Sequence, residues 1–204
     1  MKKRFLDYSL KLITNNNPNL SSEKKDELCY GLEGFYLTIT KAIFIFSLAY
    51  LLGIFKETLI MLIFFNILRT TGFGLHAKKS WMCWVSSTIL FIFLPFISRY
   101  IVFPLYLKYI LGCISIILIA LYAPADTIKH PLINKNKRIV LKMLSITFCT
   151  LLVILSIIIK NETIDSLIIF GIYVEISLII PITYKLFHLS YNNYKNYILK
   201  NNLS

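Results

Sequence analysis

The stretch Glu57-Thr-Leu-Ile-Met-Leu-Ile-Phe-Phe-Asn-Ile-Leu-Arg69-Thr-Thr-Gly-Phe-Gly-Leu-His76-Ala-Lys-Lys-Ser80-Trp-Met-Cys83 decides how the chain is organised. It is apolar up to Leu68, polar and glycine-bearing from Arg69 to Ser80, and then apolar again. A helix from Glu57 to Arg69 rises only about 18 Å at about 1.5 Å per residue, well short of a hydrocarbon core of about 30 Å. The helix is therefore expected to continue past Arg69, at least to Gly72 or Phe73. Arg69 then lies at or inside the membrane boundary, where it needs a protein partner or a route for snorkelling. The loop carrying His76 is expected to be tucked into the interface.

The rest of the chain agrees with a membrane setting. Of 204 residues, 57% are hydrophobic, and the mean hydropathy is +0.69. A soluble domain of this length needs far more polar surface, so the chain reads as an all-α integral membrane protein. One compact domain over residues 1–204 is expected, with no room for a separate soluble one. Six apolar segments, at 37–55, 57–73, 80–98, 102–123, 139–159 and 164–187, each approach the roughly 20 residues that a bilayer requires.

Ahead of them, residues 2–14 read as an amphipathic helix. Phe5, Leu6, Leu10, Leu12 and Ile13 are its apolar members, and Asn15 to Pro18 break it. A second helix is expected from Ser21 or Ser22, its apolar positions Leu28, Cys29, Leu32, Phe35 and Tyr36 leading into the first span. Residues 1–36 are thus interfacial, 37–187 transmembrane and 188–204 a tail. No signal peptide is evident, since Asp7 and Lys11 interrupt the basic start.

The formal charge of +12 does not point to nucleic acid, because the basic residues lie between apolar segments and form no arm. They report orientation instead. Sixteen of the 22 Lys and Arg fall in the N-terminus, residues 69–79, residues 124–138 and the C-terminal end from Lys185 onward. The opposite loops hold only Lys56, Arg99 and Lys160. Positive-inside bias places both termini and the His76 loop in the cytoplasm. Lys41 and Lys142 are close enough to span ends to snorkel, and Lys108 lies at the outer boundary if its helix starts at Pro104. Glu175 reads as near the middle of the last span, where an acid is costly. A structural partner for a cation or hydroxyl is the favoured reading there, with a functional acid as the alternative.

His76 and Cys83 are the residues that carry chemistry. A thiol and an imidazole are the minimal parts for covalent catalysis on a peptide. Seven residues apart on one helix they are separated by about 10.5 Å along the axis, so pairing requires the loop to fold back. Gly72 and Gly74 ease such a fold. Ser80 is a candidate N-cap that puts Cys83 in the first turn of the third span, where unpaired N–H groups and the helix dipole favour a thiolate. Arg69, Lys78 and Lys79 add positive potential. Cys113 and Cys149 read as small apolar residues of membrane helices, and Cys29 lies on the apolar side of its own helix. There is no CxxC or HExxH spacing, so no metal or other cofactor is indicated. Spacing alone leaves His76 and Cys83 open between a catalytic pair and two unrelated residues.

The stretch Arg69…Gly74-Leu75-His76-Ala77-Lys78…Cys83 resembles the signature of the AgrB family, membrane endopeptidases of quorum-sensing systems. A length near 200, the basic amphipathic start, Tyr30-Gly31-Leu32-Glu33 and Tyr122-Ala123-Pro124-Ala125-Asp126-Thr127 agree with it. The resemblance implies Cys83 as nucleophile and His76 as base, with Arg69 and Gly74 supporting the site. It implies as substrate a short precursor with an amphipathic leader and an acidic C-terminal tail, matured to a cyclic thiolactone or lactone peptide. A homodimer is what the family suggests. Lys129, Lys135, Lys137 and Arg138 are candidates to attract the acidic tail, or are topology signals alone. The competing readings are a small membrane transporter using Glu175 and Arg69, and a non-enzymatic partner of a signalling system.

Overall fold

The computed structural model describes residues 2–16, 21–75, 80–127, 132–195 and 199, without the side chains at 16, 22, 23, 26, 27, 30 and 80. The described chain is helical apart from short connections: α1 Lys2–Asn16, α2 Ser22–Leu51, α3 Phe55–Gly72, α4 Ser80–Ile97, α5 Leu105–Tyr122, α6 Lys135–Ile158, α7 Glu162–Ile179 and α8 Pro181–Leu186. One isolated parallel bridge, between Phe73 and Ala125, is the nearest thing to a strand among the described residues.

This is an all-α membrane protein. Gly31–Leu51, Leu105–Tyr122 and Lys135–Ile158 are each long and apolar enough to cross a bilayer. α3, α4 and α7 have 18 residues each, about 27 Å at about 1.5 Å per residue. Helices satisfy their backbone hydrogen bonds internally, which the lipid interior demands. The outward faces suit lipid as well: Ile110, Ile114, Ile117 and Leu121 of α5 and Leu151, Ile154 and Ile158 of α6 are all exposed.

The chain divides into residues 1–48 and 49–204. In the first unit, α1 lies against α2 through a Lys2–Glu33 ion pair and a Phe5–Tyr36 ring contact with centroids 5.3 Å apart. Leu6 is buried, while Lys3, Arg4, Asp7 and Lys11 are exposed, as an amphipathic helix requires.

In the second unit α7 is the central element, packed against α3, α4, α5, α6 and α8. Its Ile168, Ile172, Ile176 and Ile179 join Leu68, Ile119, Cys149 and Tyr184 in the core. Gly171 allows a close approach: a Cβ there would lie 3.2 Å from the Phe65 backbone nitrogen. Gly171 thus faces Met61–Phe65, and Glu175 faces Arg69 and Gly72, so α3 and α7 run parallel. The C-terminal ends of α3, α5 and α7 meet through Gly74, Ala125 and Leu178. At the other end, Arg99 pairs with Glu57 and donates to the Gly53 carbonyl, and Lys108 pairs with Asp165. Lys108 does sit in the first turn of α5, directly after Pro104.

Two expectations need correction. The last apolar segment is not one helix, because α7 stops at Ile179 and α8 starts at Pro181. Proline supplies no N–H and disfavours helical geometry in the residue before it, and Ile180 is accordingly extended (φ −72, ψ 144). Glu175 therefore lies one turn from the end of α7, not at its middle. In addition, α6 begins at Lys135, ahead of the apolar run, because the Asn134 side chain caps it by accepting the N–H groups of Asn136 (2.9 Å) and Lys137 (3.2 Å). Lys135, Lys137 and Arg138 are helical, not loop, residues.

Candidate active site

The segment 72–75 is held from three sides at the end where α3, α5 and α7 converge. α3 ends at Gly72, as the short-span argument requires, and the chain then leaves the helical conformation: Phe73 has φ 57 and Gly74 φ 96. Gly74 N–H donates to the Ala125 carbonyl (2.8 Å), and Ala125 N–H donates to the Gly72 carbonyl (2.9 Å). On the other side Leu75 N–H donates to the Leu178 carbonyl of α7 (2.9 Å). Gly74 and Leu75 are buried. A side chain at Gly74 would meet both the Arg69 guanidinium and the Leu178 carbonyl.

Arg69 supplies the third hold. Its guanidinium donates to the carbonyls of Phe73, Gly74 (3.4 Å) and Leu75 (3.0 Å). Cations are favoured at helix C-termini, where carbonyls lack partners, and Arg69 satisfies those that follow its own helix. Glu175 faces it across 3.6 Å and is 1% exposed. Arg69 thus has the protein partner that its depth demands.

Cys83 lies in the first turn of α4, half-buried, three residues after the helix begins at Ser80. α4 packs against α3 and α7, the helices that carry Arg69 and Glu175. Among the other cysteines, Cys149 is buried beside Ser115 and Cys113 is exposed on α5. His76, Lys78, Lys79 and Lys129 lie outside the described residues, as does the Ser80 side chain. Lys135 and Lys137 are exposed on the first turn of α6. Arg138 is engaged within the protein: it donates to the carbonyls of Leu132 (2.7 Å) and Ile133 (3.1 Å), and its guanidinium carbon stands 3.9 Å over the Tyr194 ring.

Two acidic residues were not legible as parts of this end. Glu175 is one. The other is Asp126, 4% exposed, which joins the segment after α5 to the C-terminal segment. Its carboxylate accepts the N–H groups of Asn193 and Tyr194, and its carbonyl accepts the Tyr184 hydroxyl at 3.0 Å. The Tyr191 hydroxyl reaches the Tyr122 carbonyl at 3.4 Å, and burial pushes this phenol up to about 12, so it remains a donor at neutral pH. With α7 ended by Pro181, Arg69 and Glu175 stand at similar distances from their helix ends, which is the sequence signal that pairs them.

The accessory gene regulator B family model matches residues 7–184. The chain is 37% identical over 186 residues to a putative AgrB-like protein of Clostridium acetobutylicum, covering 91% of this chain and 88% of that one. It is 28% identical over 180 residues to protein FsrB of Enterococcus faecalis, covering 87% and 74%. It is 34% identical over 131 residues to accessory gene regulator protein B of Staphylococcus carnosus, covering 64% and 68%. No solved structure matches.

Proposed function

The chain belongs to the accessory gene regulator B family, and from that premise we propose that it is a membrane-bound cysteine endopeptidase that matures a signalling peptide. The substrate is a short precursor with an amphipathic leader and an acidic C-terminal tail. His76 takes the Cys83 thiol proton, and the thiolate attacks the carbonyl that precedes the tail. The imidazolium returns the proton to the departing amine, the tail leaves, and the signal segment remains on Cys83 as a thioester. An internal thiol or hydroxyl of the peptide then attacks the thioester carbonyl, closing a thiolactone or lactone and regenerating the Cys83 thiol. No ATP is needed, because the thioester keeps much of the acyl-transfer potential of the cleaved bond.

The observation that carries this reading is the threefold hold on residues 72–75. It fixes the residue directly before His76 to α7 and to Arg69 of α3, the two helices against which α4, bearing Cys83 in its first turn, packs. Such constraint suits a site whose groups must be placed to a fraction of an ångström. The transporter reading relied on Glu175 as a midplane charge, whereas the carboxylate is paired near the end of α7. Lys135 and Lys137 are proposed to attract the acidic tail, Lys78, Lys79 and Lys129 to extend that basic surface, and a homodimer is the proposed assembly. The site and both termini are proposed to be cytoplasmic.

The test uses membranes bearing the full chain and a tagged precursor peptide with an amphipathic leader, an internal Cys or Ser and an acidic C-terminal tail. Cys83→Ala abolishes tail release, and His76→Ala lowers it by about 10²–10⁴-fold. Cys113→Ala and Cys149→Ala retain most activity. A Cys83→Ala protein that cleaves at the unaltered rate would overturn the assignment. A precursor lacking its internal nucleophile should leave an adduct on Cys83 that hydroxylamine removes.

A further inference from the structure

Glu175 is nine-tenths and more buried, and neither of its carboxylate oxygens has a hydrogen-bond partner. A carboxylate so placed is costly, because desolvation outweighs a bare Coulombic contact unless hydrogen bonds accompany it. Leucine or glutamine would fill the same space more cheaply, so the charge calls for a role. The cation that it faces, Arg69, has its donors directed at three consecutive carbonyls, those of Phe73, Gly74 and Leu75.

α7 grips the same segment twice. Leu178, three residues after Glu175 and so on the same helix face, accepts the Leu75 N–H directly. Glu175 reaches the segment through Arg69. Gly72 makes room for this contact, since a Cβ there would lie 2.6 Å from Glu175 Oε1.

We propose that Glu175 is a positioning residue of the active site: its carboxylate orients the Arg69 guanidinium, which fixes the peptide units of residues 73–75 and with them the chain that leads into His76. The inference rests on the Cys83–His76 reading given above. Without the carboxylate, the guanidinium is free to turn toward headgroups or solvent, and the three carbonyls lose their common donor. The base is then delivered with a wider spread of positions, and a misplacement on the order of 1 Å is enough to cost on the order of a hundredfold in rate.

Asp165 supplies a control within the same helix. It is 1% exposed, paired with Lys108, and ten residues before Glu175 at the far end of α7. Neutralising it perturbs the helix without touching Arg69.

The test follows alkylation of Cys83 by iodoacetamide in the full-length chain in nanodiscs, read by peptide mass spectrometry across the pH range in which imidazoles and thiols titrate. In the unaltered chain His76 should accelerate alkylation at neutral pH, and His76→Ala should remove the increment. If those two profiles coincide, the dyad reading falls and this proposal falls with it. Given the increment, Glu175→Gln should lose most of it, on the order of tenfold in rate at neutral pH. Glu175→Asp, which keeps the charge on a shorter stem, should recover part, and Asp165→Asn should keep all of it. A Glu175→Gln profile superimposed on that of the unaltered chain overturns the proposal. An equal loss in Asp165→Asn also overturns it, by reducing Glu175 to a packing role. Should Glu175→Gln fail to remain monodisperse, Gly72→Ala, which displaces the carboxylate from Arg69, is measured instead, and an unshifted profile there has the same consequence.

Discussion

Asp126 binds the backbone of Tyr194: its Oδ2 accepts the Tyr194 N–H at 2.7 Å while its Oδ1 accepts that of Asn193 at 2.9 Å. Residues 68 positions apart are thereby joined beside Ala125, which is itself bonded to Gly72 and Gly74. The C-terminal segment, the start of the α5–α6 connection and the approach to the proposed site form one hydrogen-bonded layer. Asp126→Ala leaves the buried Asn193 N–H and the part-buried Tyr194 N–H without acceptors, and should cost about 1–3 kcal/mol for the buried group alone. Limited proteolysis should then cut after Phe187 much faster than in the unaltered chain. Equal cutting rates would show that Asp126 does not hold this segment.

The two glycines of the site differ in what confines them. Gly74 has φ 96, and a Cβ there would lie 2.8 Å from the Leu178 carbonyl oxygen, which is backbone and cannot yield. Gly72 is helical, and its added Cβ would meet only the end of the Glu175 side chain. Gly74→Ala should therefore be the more damaging, adding about 1–3 kcal/mol of backbone strain to the clash. Thermal unfolding in detergent checks the order, and a Gly72→Ala protein less stable than Gly74→Ala would contradict it.

The basic residues at the start of α6 should separate into two classes. Lys135 and Lys137 are exposed, and replacing either by Gln should raise KM for an acidic-tailed precursor about twofold to fivefold with kcat unchanged. That increase should shrink as salt is added. Arg138 is tied to two carbonyls and the Tyr194 ring, so Arg138→Ala should cost about 1–3 kcal/mol of stability. A pure KM effect at Arg138, with unaltered melting, would show that the ring and carbonyl contacts are incidental.

Topology is open to direct labelling. Single cysteines at Lys78 and Lys135, in a background lacking the native ones, should resist an impermeant thiol reagent applied to intact cells. Single cysteines at Lys56, Arg99 and Lys160 should react. Strong labelling at Lys135 from outside would reverse the proposed orientation.

Hydropathy and length made much of the architecture readable, because the bilayer imposes both. The shortfall between Glu57 and Arg69 placed the end of α3 at Gly72 or Phe73, where it is found. The same reasoning demanded a partner for Arg69 but not its identity, since Glu175 is separated from it by more than a hundred residues of sequence. Hydropathy also concealed the break at Pro181. Ile179, Ile180, Pro181 and Ile182 read as one oily run, although proline stops a helix for steric reasons that polarity does not register. The start of α6 shows the opposite case: residues 135–138 carry charge that hydropathy does not assign to a span, while the single Asn134 cap makes them helix. Asp126 belongs to the Tyr122–Thr127 stretch, but its contacts with Asn193 and Tyr194 depend on a return of the chain that no local pattern encodes.

α7 carries one buried carboxylate toward each end, Asp165 held by α5 and Glu175 held by α3. Ten residues of helix set those anchors about 15 Å apart. The spacing works as a fixed ruler: sliding α7 by one turn, about 5.4 Å, would strip both acids of their cations at once. The two pairs therefore set one axial register for α7 against α3 and α5, and a displacement that breaks the Arg69 pair at one end of the helix also breaks the Lys108 pair at the other.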